Sequence, residues 1–337
     1  MADLPEERVT PSDPFTYCGA DVFGPYLIKE GRKEVKRYGC IFTCMASRAV
    51  HIEIINHMCT DSLIQALRRF IARRGQVSSI HTDNGTNFVG AENELKKCLE
   101  ELDHEMIQEF LLAKGCDWIV WKRNPPSSSH MGGVWERQIR SVRTILTGLM
   151  KEHATILNDE SLRTFMAEAE AIINSRPLTV ESINDSESPI PISPMQLLTL
   201  KSDVVFPPPG NFQRCDLYSR KRWRRVQFLA NQFWHRWKVE YLASLQSRQK
   251  WGGKSRNFAA GDIVLVKDQE IFTKRNGWPM ARIEEAFPSD DGLVRKVRLR
   301  VAHKQSDKTR SLVRPITKLV LLAGIDEMDE ERKHRDN

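Results

Sequence analysis

Residues 81–88 read His81-Thr82-Asp83-Asn84-Gly85-Thr86-Asn87-Phe88. Asn and Gly tolerate positive φ at little cost, so Asp-Asn-Gly is ordinary turn chemistry. The preceding "VSSIHT" (77–82) is a short strand, and the turn begins where it ends, which leaves Asp83 at the strand tip. Alone, Asp83 reads equally as a turn residue, a cap for a following helix or a carboxylate held for a ligand. The neighbouring segments decide which fold it belongs to.

Upstream, "FTYCGADVF" (15–23), "YGCIFTCMAS" (38–47) and "AVHIEII" (49–55) are rich in aromatic and β-branched residues and are separated by polar turns. They predict a β-meander. Asp61 is a fitting N-cap for "SLIQALRRFIARRG" (62–75), where Leu63, Leu67, Phe70 and Ile71 recur at helical spacing and Gly75 ends the helix. Downstream come the helical "ENELKKCLEEL" (92–102) and "EMIQEFLLAKG" (105–115), then the strand "CDWIVW" (116–121). This order of strands and helices defines an α/β layered domain. The polar "KRNPPSSSHMGG" (122–133) should be a mobile loop. It leads into a helix whose Trp135, Ile139, Val142, Leu146 and Leu149 form one apolar stripe. A further helix, "SLRTFMAEAEAIINS" (161–175), is stopped by Pro177.

The third part opens with a long basic helix (220–251) carrying the stripe Trp223, Val226, Ala230, Phe233, Trp237, Tyr241 and Leu245. Trp223, Phe233 and Trp237 are expected to pack in a core. Five short strands follow, "DIVLVKD", "PMARIEEAF", "GLVRKVRLRV", "TRSLVRP" and "ITKLVLL", and suggest a small SH3-like β-barrel. In "LVRKVRLRV", Val297, Leu299 and Val301 alternate with Lys296, Arg298 and Arg300, which predicts one apolar and one cationic face.

At 337 residues the chain has room for two domains with real cores. Charge is unevenly placed: from residue 211 onward there are 28 Lys/Arg against 16 Asp/Glu, and before it 23 against 28. A basic C-terminal half points to a polyanionic partner. Seven scattered cysteines without a C-x-x-C argue against a disulfide framework or a cysteine zinc site and fit a reducing intracellular compartment. No apolar run approaches the ~20 residues that span a bilayer, and the N-terminus lacks the pattern of a secretory signal, so no membrane partner is expected.

Three acids stand out by their place in these elements: Asp21 inside the first strand, Asp83 at the end of the fourth, and Glu136 in the first turn of the helix after the polar loop. Each has an ordinary reading, Glu136 as a helix-start acid paired with Arg140. Brought together, three carboxylates would repel unless divalent cations bridged them, and all-oxygen ligation suits Mg2+ or Mn2+.

"HTDNGTNF" resembles the second-aspartate motif of retroviral and retrotransposon integrases. "PFTYCGADVFGP" (14–25) is similar to their first-aspartate strand, and "NPPSSSHMGGVWERQIRSVRTIL" (124–146) to the glutamate loop and helix. "EAEAIINSRPLT" (168–179) and the segments over 277–301 and 314–322 resemble those of BEL/Pao-type LTR retrotransposon integrases. The resemblance runs from about residue 4 to residue 322.

It implies an RNase H-like catalytic core over 14–182 with a mixed five-stranded sheet, after an N-terminal extension (1–13). A Pro/Ser-rich linker (183–214), a basic helix (215–256), an SH3-like DNA-binding barrel (257–322) and a charged tail (323–337) would follow. It implies Asp21, Asp83 and Glu136 as catalytic metal ligands for two Mg2+ (or Mn2+) ions. Asn84, Gly85 and Asn87 would shape the turn, and Ser127, Ser128, Ser129, His130, Gly132 and Gly133 would lie in the mobile loop. The reaction would be 3′-end processing and strand transfer of DNA. Arg140, Arg143, Arg220, Lys221, Arg222, Arg224, Arg225, Lys296, Arg298 and Arg300 are the expected DNA contacts. The partners would be double-stranded DNA and further copies of the chain, in the nucleus after synthesis in the cytoplasm.

Two features depart from the familiar pattern. Fifty-two residues separate Asp83 from Glu136, longer than the retroviral spacing, and the extra length is helical in character. The His and Cys residues supply no counterpart of the family's N-terminal zinc module, so no zinc site is expected. An inactive, host-captured or truncated DNA-binding derivative and an RNase H-like nuclease are the alternative readings.

Overall fold

The computed structural model describes residues 6–82, 105–106, 120–123, 133–180, 191–201, 207–208, 210–246, 256–267, 275–301 and 310–325. It divides into two compact units, one built on residues 1–174, 197–200 and 209–237 and the other on 175–196, 201–208 and 238–337. No helix among the described residues is long and apolar enough to cross a membrane.

The first unit is organised by a mixed sheet of β1 (Tyr17–Glu30), β2 (Lys33–Cys44), β3 (Val50–Ile55), β4 (Ser79–Thr82) and β5 (Val120–Arg123), in the order β3-β2-β1-β4-β5. The first three strands form the antiparallel meander read from their composition, while β4 and β5 add parallel. Of "CDWIVW", Val120 and Trp121 lie in β5, and 116–119 lie outside the described residues. Of the two helices expected between β4 and β5 only residues 105–106 are described, and they are helical; the turn residues Asn84, Gly85 and Asn87 lie outside the described residues.

A four-residue helix α1 (Glu6–Val9) precedes the sheet. Helix α2 (Thr60–Arg74) covers one sheet face with Leu63, Ala66, Leu67 and Phe70. Phe70 stacks on Phe42 at 4.0 Å and meets Phe15 edge-on at 5.4 Å. The helix stops at Gly75, whose φ of 90° disfavours other residues and whose N–H reaches the Ile71 carbonyl. Its start corrects the sequence reading. Cys59 is the N-cap, without a side-chain cap bond, and Asp61 sits inside the first turn. An acid there still favours the helix through the exposed amides at that end.

Helices α3 (Gly133–His153) and α4 (Asp159–Asn174) follow in the same unit. Ile139, Val142, Leu146 and Leu149 are buried as their stripe predicts, and α4 buries Leu162, Phe165, Ala169 and Ile172. The Arg37 guanidinium on β2 holds the first carboxylate of α4 with two 2.7 Å bonds to Asp159, which lowers the Asp159 pKa.

Strand β3 is the sheet's outer edge, and side chains close it. Asn174 accepts the Val50 N–H at 2.8 Å and donates to the Val50 carbonyl at 2.7 Å. Glu170 accepts the Ile52 N–H at 2.8 Å, and Arg69 donates to the Ile54 carbonyl at 2.9 Å. Four backbone groups of this edge that could recruit another strand are therefore met within the unit.

A short helix α5 (Pro194–Thr199) and a 3-10 turn (Arg214–Tyr218) lie within or at the end of the Pro/Ser-rich stretch read as a linker. Helix α6 (Arg222–Leu245) begins later and ends earlier than the basic composition suggests. Val226, Ala230, Phe233 and Trp237 are buried, and Phe233 meets Phe165 edge-on. Trp223 departs from the expected core role: it is 49% exposed. It occupies the first turn of α6, one turn before the helix's buried stretch begins.

The second unit contains an antiparallel sheet of β8 (Ile263–Val266), β9 (Met280–Pro288), β10 (Val294–Val301), β11 (Arg310–Pro315) and β12 (Leu319–Ala323). Its order is β11-β10-β9-β8-β12, and each strand falls on a segment read from sequence, except that Ile316–Lys318 of "ITKLVLL" form a 3-10 turn before β12. A two-stranded ribbon of β6 (Thr179–Val180) and β7 (Pro191–Ile192) belongs to the same unit. Val264, Ile283, Val297, Leu299 and Val301 form the core face.

Candidate active site

Asp21 lies on β1 with the parity of Gly19 and Phe23, on the sheet face opposite the α2 core to which Cys18, Ala20 and Val22 belong. Its Oδ1 accepts the Val22 N–H at 2.8 Å. Its Oδ2 accepts from the Arg143 guanidinium of α3 at 2.6 Å. The two side chains are 19% and 27% exposed, so the pair is neither free in solvent nor sealed from it.

Two close contacts fix this part of β1. Phe23 folds its ring over Gly39 of β2, where an added Cβ would come within 2.2 Å of the ring. Gly24 approaches the β2 backbone with φ 115°, at the register shift between Phe23 and Tyr26.

The parallel ladder between β1 and β4 pairs Tyr17 with Ser79, Cys18 with Ile80, Gly19 with His81 and Ala20 with Thr82. Its last pair therefore stands one residue before Asp21 and one residue before Asp83. Asp83 itself lies outside the described residues. Glu136 is in the first turn of α3, seven residues before Arg143. Seven residues are two helical turns, about 10 Å along the axis on the same side. The side chain of Glu136 is outside the description, as are residues 124–132 of the expected loop; Gly133 opens α3. Among the described residues, no three His, Cys, Asp or Glu side chains converge as a metal-binding group.

The residues expected to contact DNA divide by environment. Arg140, Arg220, Lys221, Arg222 and Lys296 are exposed. Arg143 is committed to Asp21. Arg224 binds Asp216 at 2.6 Å, and Arg225 donates to the carbonyls of Leu217, Ile156 and Ser219. These two bases of the "RKRWRR" run thus hold the entrance of α6 in place. In the second unit Arg300 binds Glu284 at 2.6 Å, Arg298 pairs with Glu285, and Arg298 also covers the Phe287 ring. The face opposite Val297 and Leu299 is therefore basic with interspersed acids.

A second polar cluster gives no direct signal for catalysis in the sequence. On β3, His51 and Glu53 are buried on one face, joined at 3.1 Å. Arg69 and Arg73 hold Glu53 at 2.6 and 2.8 Å, and Glu170 receives Arg74 and His51. Burial opposes the imidazolium, but bonds to Glu170 and Glu53 outweigh it and raise the His51 pKa. Burial likewise opposes the Glu53 carboxylate, and the bonds from His51 and Arg69 overcome it, lowering that pKa. The sequence signal was the pair of polar residues at period two within "VHIEII".

Residues 12–125 match the Integrase core domain, a span that contains Asp21 and Asp83. The mixed sheet with its flanking helices belongs to that matched region and its continuation. Residues 221–322 match a family of unknown function, DUF5641. Among solved structures, the chain is similar to a simian T-cell lymphotropic virus intasome in complex with the PP2A regulatory subunit B56 gamma, at 14% identity and TM-score 0.37 over 96% of this chain and 85% of that one. It is also similar to the BIV integrase catalytic core, at 14% identity and TM-score 0.34 over 55% of this chain and 93% of that one. The HTLV-2 integrase catalytic core in complex with magnesium is similar at 19% identity and TM-score 0.33, over 55% and 97%. No curated protein matches.

Proposed function

We propose that this chain is a BEL/Pao-type LTR retrotransposon integrase that processes the 3′ ends of element DNA and joins them to target DNA. The observation that carries this reading is the parallel register in which Ala20 pairs with Thr82, the residues immediately before Asp21 and Asp83. Asp21, Asp83 and Glu136 would hold Mg2+ or Mn2+, for which a set of carboxylate oxygens is a suitable donor chemistry. Asp21 presents a part-exposed carboxylate with one oxygen oriented by the Val22 N–H; its other oxygen is held by Arg143, which a metal ion would have to displace. Two such ions, when bound, activate an attacking oxygen and stabilise a leaving one.

The chain's own residues orient and neutralise. Arg143 keeps a guanidinium beside Asp21, where charge builds on a phosphodiester under attack. Arg140 lies on the same side of α3 and is exposed to a DNA backbone. Water attacks in end processing and the DNA 3′-OH in joining, so no residue bonds covalently to DNA. The second unit, read as an SH3-like barrel preceded by a basic helix, would bind duplex DNA through exposed cations such as Lys296. Further copies of the chain would assemble on that DNA in the nucleus.

The test uses a branched DNA that mimics the joined product, incubated with the chain and Mn2+. Resolution of the branch by transesterification is expected, with Asp21→Asn, Asp83→Asn and Glu136→Gln each abolishing it. Resolution that survives Asp83→Asn, or hydrolysis without rejoining, overturns the reading.

A further inference from the structure

The exposed indole of Trp223 is held more firmly than a solvent-facing side chain needs to be. The Phe212 ring meets it edge-on at 5.8 Å and 82°. The Arg224 guanidinium lies 5.6 Å from the indole and 5.4 Å from Phe212. Arg224 is fixed in turn by Asp216, whose other oxygen closes a capping box on Gln213. An aromatic surface oriented in advance loses little conformational freedom when something stacks on it. Tyr218, 70% exposed, adds a second exposed aromatic ring in the turn that precedes α6.

The surrounding charge identifies the class of occupant. Residues 211–225 contain six Lys/Arg and one acid, and that acid is engaged by Arg224. Arg220, Lys221 and Arg222 are exposed immediately before the indole. Cations beside an oriented aromatic ring suit a phosphate backbone whose bases are free to stack. A duplex keeps its base faces hidden, so it would meet the cations alone.

We propose that Trp223, with its basic rim, is a stacking site for an unpaired nucleotide strand, separate from the Asp21 site. The inference rests on the proposed reading only in taking nucleic acid as the partner, and it requires no catalysis.

The test is fluorescence anisotropy with labelled oligothymidylate of about 15 nucleotides and a duplex of equal length, a length within the usual single-strand site sizes. Trp223→Ala should weaken oligothymidylate binding about tenfold, within the range for losing one stacked base, and duplex binding less than about twofold. Trp223→Phe should keep most of the affinity, which separates stacking from loss of fold. Lys221→Ser with Arg222→Ser should weaken both ligands and flatten their salt dependence. Equal losses on both DNAs with Trp223→Ala overturn the proposal. So does unchanged oligothymidylate binding, which would mark the patch as a protein-docking face. Asp83→Asn should abolish branch resolution yet leave oligothymidylate binding intact, so failure of the catalytic reading is distinguishable from failure of this one.

Discussion

Asn174→Ala is the most incisive perturbation of the first unit. Asn174 is 1% exposed and serves both the N–H and the C=O of Val50 on the outermost strand. Alanine removes both partners, and the buried site gives water little access to replace them. Each orphaned backbone group costs about 1–3 kcal/mol, so the sum is about 2–6 kcal/mol before any cost of the vacated volume. That is a large part of the ~5–15 kcal/mol by which such a domain is stable. With a urea slope of about 2–3 kcal/mol/M, the midpoint should fall by about 0.7–3 M when unfolding is followed by circular dichroism. Asn174→Asp is the informative companion: it can still accept the Val50 N–H but sets a second carboxylate oxygen against the Val50 carbonyl. It should therefore be no more stable than Asn174→Ala. A loss below about 0.5 kcal/mol, typical of ordinary surface changes, would refute the claim that this side chain completes the sheet edge.

Three other outcomes follow from the described contacts. Gly39→Ala drives a Cβ into the buried Phe23 ring and should cost about 1–3 kcal/mol, read as a lower melting temperature that Phe23→Leu partly restores. The His51–Glu53 network should stabilise most between about pH 4.5 and 6.5. The lowered Glu53 pKa gives stability that is lost as pH falls through it, and the raised His51 pKa gives stability that is lost as pH rises through it. The decline of unfolding free energy from pH 6 to 8, measured in urea, should be smaller in His51→Gln. Arg143→Gln should cost about 1 kcal/mol without metal, since the pair is only part-buried. Added Mn2+ should then raise its melting temperature more than it does for wild type; equal shifts would remove Asp21 from the metal site.

The meander, the α2 stripe and the five strands of the second unit were legible because each depends on local periodicity. Leu63, Leu67 and Phe70, or Val297, Leu299 and Val301, declare a buried face within a few residues. Contacts that join distant segments were not legible. Glu170 and Asn174 meet β3 across 118 to 124 residues, and nothing local distinguishes them from a polar helix face. Trp223 continues the same stripe as Phe233, and only the packed unit reveals that the core does not reach it. Composition likewise gave Arg220, Lys221, Arg222, Arg224 and Arg225 equal standing, whereas Asp216 and the carbonyls around Leu217 take Arg224 and Arg225 out of the exposed set. For the candidate site, the strand carrying Asp21 and the strand running up to Thr82 were readable; the Arg143 partner of Asp21 was not, because it depends on how α3 lies on the sheet.

The sealed rim of β3 also limits how this polypeptide can be shortened. The groups that seal it arrive at the end of α4, more than a hundred residues after the strand they serve. A version ending at the last strand, or even at α3, would retain all five strands and still leave Val50 and Ile52 with unmet ladder positions. Such a fragment would tend to zip onto its neighbours and precipitate, and a loss of activity caused by clumping could be mistaken for loss of a catalytic group. The shortest usable core reaches past Asn174.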